Sequence, residues 1–268
     1  MQKHPHSEGR VSLVKITLVE SSVGHGSRQQ ILASYIVNDS IVIDAGSIGF
    51  VSPLDVQKQV KHVFISHSHT DHLASLPIFI DNVYVPSPEC PTVYGNADVL
   101  DCLQKHVFNE RIWPDMIRLS GEETPFLKME EIQSETTIEI DGVKITPIAL
   151  DHIVPALGFI LEDDEAAIAI VSDTSPTTRI WEVINEQKNL QAVFLEASFP
   201  NQMDWLAEKA MHLTPNMFAE ELKKLTQPAR IVAIHIKTAF DEQIKTELAE
   251  LNLPNVEIGE PGKTYEFH

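Results

Sequence analysis

The hexapeptide His67-Ser68-His69-Thr70-Asp71-His72 constrains this chain more than any other stretch, because it sets three imidazoles and a carboxylate directly after the apolar, strand-like run Val63-Phe64-Ile65. If a strand ends at Ser66 and a helix is entered at Leu73, His67 and His69 point to one side of the loop while Asp71 and His72 point to another. One loop can then serve two ions. Imidazole together with carboxylate suits zinc, manganese or iron rather than calcium. A solvated polar loop can also carry three histidines and no ion, so the meaning of this one depends on partners elsewhere in the chain.

Such partners stand at the ends of predicted strands. Asp141-Gly142 is a turn signal between Thr137-Ile138-Glu139-Ile140 and Val143-Lys144-Ile145-Thr146-Pro147-Ile148, which reads as a hairpin. Asp151-His152 follows it. Apolar runs at 156–161 and 166–171 come next, and the second ends in Ser172-Asp173-Thr174. Taken alone, His152 or Asp173 reads as a turn residue. Beside the histidine loop, His152 supplies a third imidazole for one ion and Asp173 a carboxylate able to bridge both. Farther on, Gln191-Ala192-Val193-Phe194-Leu195 leads to Glu196-Ala197-Ser198-Phe199. A helix around 205–210 precedes Met211-His212-Leu213-Thr214-Pro215, with Thr214 as a cap for a helix through Leu225. The apolar strand 229–234 then delivers His235-Ile236-Lys237-Thr238, where Lys237 reads either as a phosphate contact or as an exposed lysine at a helix start.

The first half offers weaker signals. Strands are expected at 11–19, 31–37 and from Ile41 to Ile43, and the Gly/Ser-rich loop 20–28, with His25 and Arg28, reads as a hairpin connection or as a backbone loop approaching phosphate. Asp44 either accepts a hydrogen bond from a ligating imidazole or closes a turn. Ser52 is placed to cap a helix over 53–60, and the apolar stretch 73–82 predicts a buried helix that Pro77 kinks. A helix opened by Asn96 presents Val99, Leu103 and His106 on one face. It leads into Phe108-Asn109-Glu110-Arg111-Ile112-Trp113-Pro114-Asp115, whose aromatics are suited to walling a flat base, to core packing or to a homodimer contact.

Composition narrows the partners. A net charge of −19 repels a polyphosphate backbone, which makes large nucleic acids poor substrates, whereas a local pair of divalent cations can still attract a small anion. Nothing resembling a linker divides the 268 residues, so 1–268 reads as one domain with an aromatic-containing insert at about 96–125. No run approaches the roughly 20 apolar residues of a membrane span. The start, Met1-Gln2-Lys3-His4-Pro5-His6, lacks the apolar core of a secretory signal, which gives a cytoplasmic expectation. Cys90 and Cys102 lack CxxC spacing and read as free thiols.

The loop HSHTDH with the later His152, Asp173 and His235 resembles the HxHxDH…H…D…H pattern of the metallo-β-lactamase superfamily. The resemblance implies an α+β fold, a four-layer αββα sandwich of two mixed sheets flanked by helices. It also implies a dinuclear site at the sheet edge, with one ion on His67, His69 and His152, the other on Asp71, His72 and His235, and Asp173 between them. Within the superfamily the chain is most similar to the class II cyclic-nucleotide phosphodiesterases. That similarity is carried by Phe194-Leu195-Glu196-Ala197-Ser198-Phe199-Pro200-Asn201, by Met211-His212-Leu213-Thr214-Pro215 with Glu220-Glu221-Leu222, and by the segment from His106 to Asp115. The chain departs from that family in having Met211 where glycine is usual and Thr70 where leucine is usual.

What this resemblance implies is hydrolysis of a 3′,5′-cyclic nucleotide, cyclic AMP or secondarily cyclic GMP, by a hydroxide shared between two divalent ions, zinc first with manganese or iron as alternatives. Asp71 and Asp173 join the catalytic set as ligands, and His212, charged and oriented by Glu196, is the candidate general acid. Lys237, Thr214, Phe108, Trp113 and Arg28 are candidate substrate contacts. A ribonuclease Z-like activity on RNA is the nearest rival, disfavoured by the acidic charge and the lack of a basic, Gly-rich arm. A non-enzymatic metal-binding scaffold is the third reading.

Overall fold

The computed structural model describes residues 14–21 and 29–268, so His25 and Arg28 lie outside the described residues. Among those residues two mixed sheets, each of seven strands, face one another. The first is built from β1 (Val14–Leu18), β2 (Tyr35–Val37), β3 (Ile41–Ile43), β4 (His62–Phe64), β5 (Thr92–Gly95) and β6 (Lys128–Glu131) in sequential order. The second contains β7 (Ile138–Ile140), β8 (Val143–Leu150), β9 (Ala156–Glu162), β10 (Ala167–Val171), β11 (Leu190–Glu196), β12 (Arg230–Ile234) and β13 (Val256–Ile258), again in sequential order. The last strand, β14 (Thr264–Phe267), returns to the first sheet and pairs antiparallel with β1.

The period-two side-chain alternation of a strand explains the layering. In β11, Ala192 and Phe194 enter the core between the sheets, with Val232 and Ile234 of β12. Val193 and Leu195 point the other way, onto Ile180, Trp181, Phe218 and Ile244 of the helices Arg179–Glu186, Pro215–Leu222 and Asp241–Glu250. The first sheet does the same, with Ile41, Ile43 and Phe64 inward. Its Val42, Val63 and Val93 face Leu76, Phe79, Ile80 and Val99 of the helices Leu76–Val83 and Ala97–Cys102. Helix, sheet, sheet, helix is therefore the layer order, the αββα sandwich expected from the sequence. No helix among the described residues is long and apolar enough to cross a membrane.

Several local expectations change. Pro77 sits in the first turn of its helix, where its missing N–H costs nothing, and does not kink it. Pro53 takes the cap position expected of Ser52. Asn96 caps its helix as expected, accepting from Val99 N, but the following turn, Leu103–Val107, is a π-helix. The wider turn brings Val107 onto the Val99–Leu103 face and leaves His106 exposed. Phe108 consequently lies 1% exposed in the core beneath the outer helices, with Trp113 packed against the same cluster. The buried Phe108 has no face open to a substrate, which corrects its assignment as a substrate contact, whereas Trp113 is only half-buried and keeps exposed surface.

The helix Asp204–Ala210 ends on Met211 in the left-handed conformation (φ 57°, ψ 52°), which glycine adopts without Cβ strain. Met211→Gly is expected to stabilise the protein by about 0.5–1 kcal/mol, raising Tm by roughly 2 °C. An unchanged or lower Tm in a thermal melt contradicts strain at this position.

Candidate metal centre

The chemistry-bearing residues follow the carboxyl ends of strands, where open α/β sheets place their working loops. Asp44 follows β3, the segment from Ser66 to His72 follows β4, and β3 and β4 run parallel. On the opposing sheet, His152 follows β8, Asp173 follows β10, Glu196 ends β11 and His235 follows β12, the last three strands being parallel neighbours. Backbone hydrogen bonds then fix the histidine loop between the sheets: Leu157 N donates to Ser66 O (3.0 Å), Ala33 N to Asp71 O (2.8 Å) and Ala45 N to His72 O (2.7 Å). Gly46 permits this approach, since a Cβ there would stand 2.1 Å from Asp71 O.

His67, His69, His152 and Asp173 each bring one donor atom into a group in which all lie within 4.8 Å of one another, and Asp71, His72 and His235 form a second group of the same kind. Asp173 stands between them. Its Oδ2 lies 3.7 Å from His67 Nε2, 3.4 Å from His72 Nε2 and 3.3 Å from His235 Nε2. None of these three buried Nε2 atoms has a properly directed hydrogen bond. Buried polar atoms left without partners are rare because their desolvation is costly, and three converging on one carboxylate fit a divalent cation.

The opposite ring atoms are held. His72 Nδ1 lies 2.7 Å from Asp44 Oδ2, His67 Nδ1 3.0 Å from Ser66 Oγ, and His152 Nδ1 2.9 Å from Met211 O. Each partner is able to accept an Nδ1 proton, which would leave Nε2 free to ligate a metal. Of the two readings of Asp44, the structure favours the first: it orients His72, and it ties the ends of β3 and β4 together by accepting from Ser66 N (2.7 Å) and Ser66 Oγ (2.9 Å). His69 offers Nδ1 instead, 3.2 Å from His152 Nε2.

Electrostatics separate the histidines. Burial, reinforced by neighbouring imidazoles, pushes His67 well below its ordinary pKa, and burial also lowers His69 and His152, so all three are neutral donors. Burial would lower His72 as well, but Asp173 and Asp44 outweigh it and hold it well above its ordinary value. Burial likewise opposes ionisation of Asp173, yet His235 and His72 keep that carboxyl well below the usual range. A cation bound here would have to displace the proton that these carboxylates favour on His72.

Next to the donors, His212 Nδ1 lies 2.9 Å from Glu196 Oε1. Glu196 is fully buried and also accepts from Thr174 N (2.9 Å), Ser198 Oγ (2.6 Å) and Leu213 N (3.2 Å), so its position is fixed from several sides. Burial disfavours the charged His212, but the Glu196 carboxylate prevails and raises its pKa. Thr214 is buried and spends its hydroxyl capping Pro215–Leu222, which corrects its assignment as a substrate contact. Lys237 lies near enough to Asp71 and His212 to act on both electrostatically. The described sequence signals missed Ser66 and Met211, whose roles are made by one hydroxyl and one carbonyl that no spacing advertises.

A family model for class-II cAMP phosphodiesterases matches residues 51–254, about three quarters of the chain. The chain belongs to this family. It is 25% identical to a probable 3′,5′-cyclic-nucleotide phosphodiesterase of Yersinia pestis over 87% of this chain and 81% of that protein. Ribonuclease BN of Salmonella paratyphi C is 32% identical over only 40% of the chain. Among solved structures, unliganded yeast PDE1 superposes with a TM-score of 0.77 at 17% identity, covering 94% of this chain and 99% of that one. The metallo-β-lactamase fold protein YhfI of Bacillus subtilis gives 0.71 at 16% identity over 96% and 100% of the two chains. The metallo-β-lactamase fold is thereby assigned to this member of the family.

Gly46→Ala is expected to push the Asp71 carbonyl and the histidine loop outward. Metal retained per chain after gel filtration should fall at least tenfold in affinity, the scale typical of disturbed ligand support. Native retention shows that the loop tolerates the displacement.

Proposed function

We propose that this chain hydrolyses 3′,5′-cyclic nucleotides, cyclic AMP first and cyclic GMP second, to 5′-monophosphates, using two divalent ions of which zinc is the leading candidate. The observation carrying this reading is the buried Glu196–His212 pair set beside two groups of metal donors in a chain of this family. His67, His69 and His152 would hold one ion, Asp71, His72 and His235 the other, and Asp173 would serve both. Bound cations there would activate water at neutral pH and offset the charge of the phosphoryl oxygens.

The chain's own residues supply the rest. Loss of the ribose 3′-oxygen as an alkoxide is unfavourable unless it receives a proton. His212 is suited to donate it, because Nδ1 is committed to Glu196 and Nε2 is the atom left to face the substrate. Glu196 sets the ring orientation and stabilises the imidazolium. Lys237 adds positive charge on the side of Asp71 and so favours an anionic substrate. The net charge of −19 opposes an extended RNA and supports a small anion as substrate, although Ribonuclease BN is similar over part of the chain and human tRNase Z, short form, shares the fold at a TM-score of 0.66 and 17% identity over 94% of this chain and 98% of its own. A homodimer contact through the segment 108–115 remains part of the proposal, carried by the exposed Ile112 beside the packed Trp113.

Elemental analysis of the purified protein should give two ions per chain, reduced in Asp173→Ala; one ion or none contradicts the two-ion reading. For His212→Ala, metal content is expected to stay near native while kcat on cyclic AMP falls by roughly 10²–10⁴-fold. Loss of metal in this variant would make His212 a ligand, and an unchanged kcat would remove its role as acid. A panel of cyclic AMP, cyclic GMP, a transfer-RNA precursor and a generic phosphodiester tests the substrate class, and turnover confined to RNA favours the ribonuclease reading.

A further inference from the structure

Phe108 is buried and Trp113 is partly packed against the same cluster, and a second apolar surface lies nearer the donor groups. Ile31, Phe199 and Phe240, together with His235 and Lys237, line a recess of about 230 Å³ directly beside the second donor group. We propose that this recess receives the nucleobase of the bound mononucleotide; the proposal rests on the phosphodiesterase reading above.

Continuity with the centre is the first argument. His235 belongs both to the recess and to the donor group with Asp71 and His72. The Phe199 ring lies 5.6 Å, centroid to centroid, from the ring of His212. A nucleotide whose phosphate lies at the donors and whose leaving oxygen meets His212 therefore has Phe199 as the next surface along its length.

The chemistry of the walls is the second. Ile31 is 51% exposed and Phe199 and Phe240 are half-buried, so apolar surface stays open to a ligand here. Lys237 Nζ stands 5.9 Å from the Phe199 ring centroid, putting a cation at the end of the recess that adjoins Asp71. The order is thus donor group, cation, aromatic and aliphatic wall, which matches phosphate followed by base. Stacking of a base on an aromatic side chain tolerates any base, since each has a π-face, and its loss weakens binding by about 5- to 150-fold. A short recess of this kind takes one base and no second one in line, in keeping with a mononucleotide rather than an RNA strand.

Calorimetric titration of the zinc-loaded protein with adenosine 5′-monophosphate and with ribose 5-phosphate isolates the base, because the two ligands share phosphate and sugar. The ratio of their affinities cancels any disturbance of the metal centre. In Phe199→Ala this ratio is expected to fall by about 5- to 150-fold, and Ile31→Ala, at an exposed position that folding does not depend on, should lower it several-fold. A ratio near one in the unaltered protein, or a ratio unchanged in both variants, overturns the proposal. If the unaltered protein hydrolyses no cyclic nucleotide while the ratio still falls in the variants, the subsite stands and the assigned reaction fails; hydrolysis with an unchanged ratio removes the subsite alone.

Discussion

Asp173 is the group on which the rest of the centre depends. A carboxylate 2% exposed between two apolar sheets is costly unless it is paired, and its Oδ2 has the Nε2 atoms of His67, His72 and His235 within 3.7 Å. Those imidazoles come from both sheets. The two seven-stranded layers must therefore meet with their carboxyl ends at one edge, and the inter-sheet core of Phe64, Phe159, Phe194 and Val232 sets that meeting. Packing provides the frame, and the charge at its edge fixes which residues can occupy it.

Around that carboxylate, the histidines divide by their second ring nitrogen. Where Nδ1 meets a carbonyl or hydroxyl, as in His152 and His67, burial prevails and the ring is neutral. Where it meets a carboxylate, as in His72 and His212, the ring gains a proton. One neighbouring oxygen thus decides whether the same side chain is neutral or protonated before any cation binds.

Much of this was legible in the sequence, for physical reasons that differ by element. The strands β8 to β12 alternate or run apolar, and the site residues follow them directly, so His152, Asp173, Glu196 and His235 could be placed without coordinates. The helix Arg179–Glu186 was not among the expected elements, although Ile180, Trp181 and Ile184 lie buried on one face of it. The edge strand β6, Lys-Met-Glu-Glu, carried none, since its polar side chains remain outside the core. The π-turn at Leu103–Val107 was invisible to a 3.6-residue period, and that single extra residue turned Phe108 inward. Ser66 and Met211 act through atoms every serine or backbone possesses.

The packing of the histidine loop against both sheets has a mechanical meaning. The candidate ligands from His67 to His235 converge on one edge, so any cation held there would close a long chain loop and clasp one sheet to the other. Its binding energy is then shared between chemistry and cohesion. The edge that carries these residues is also the hinge line along which the sandwich would part, and a cation held there would rivet it.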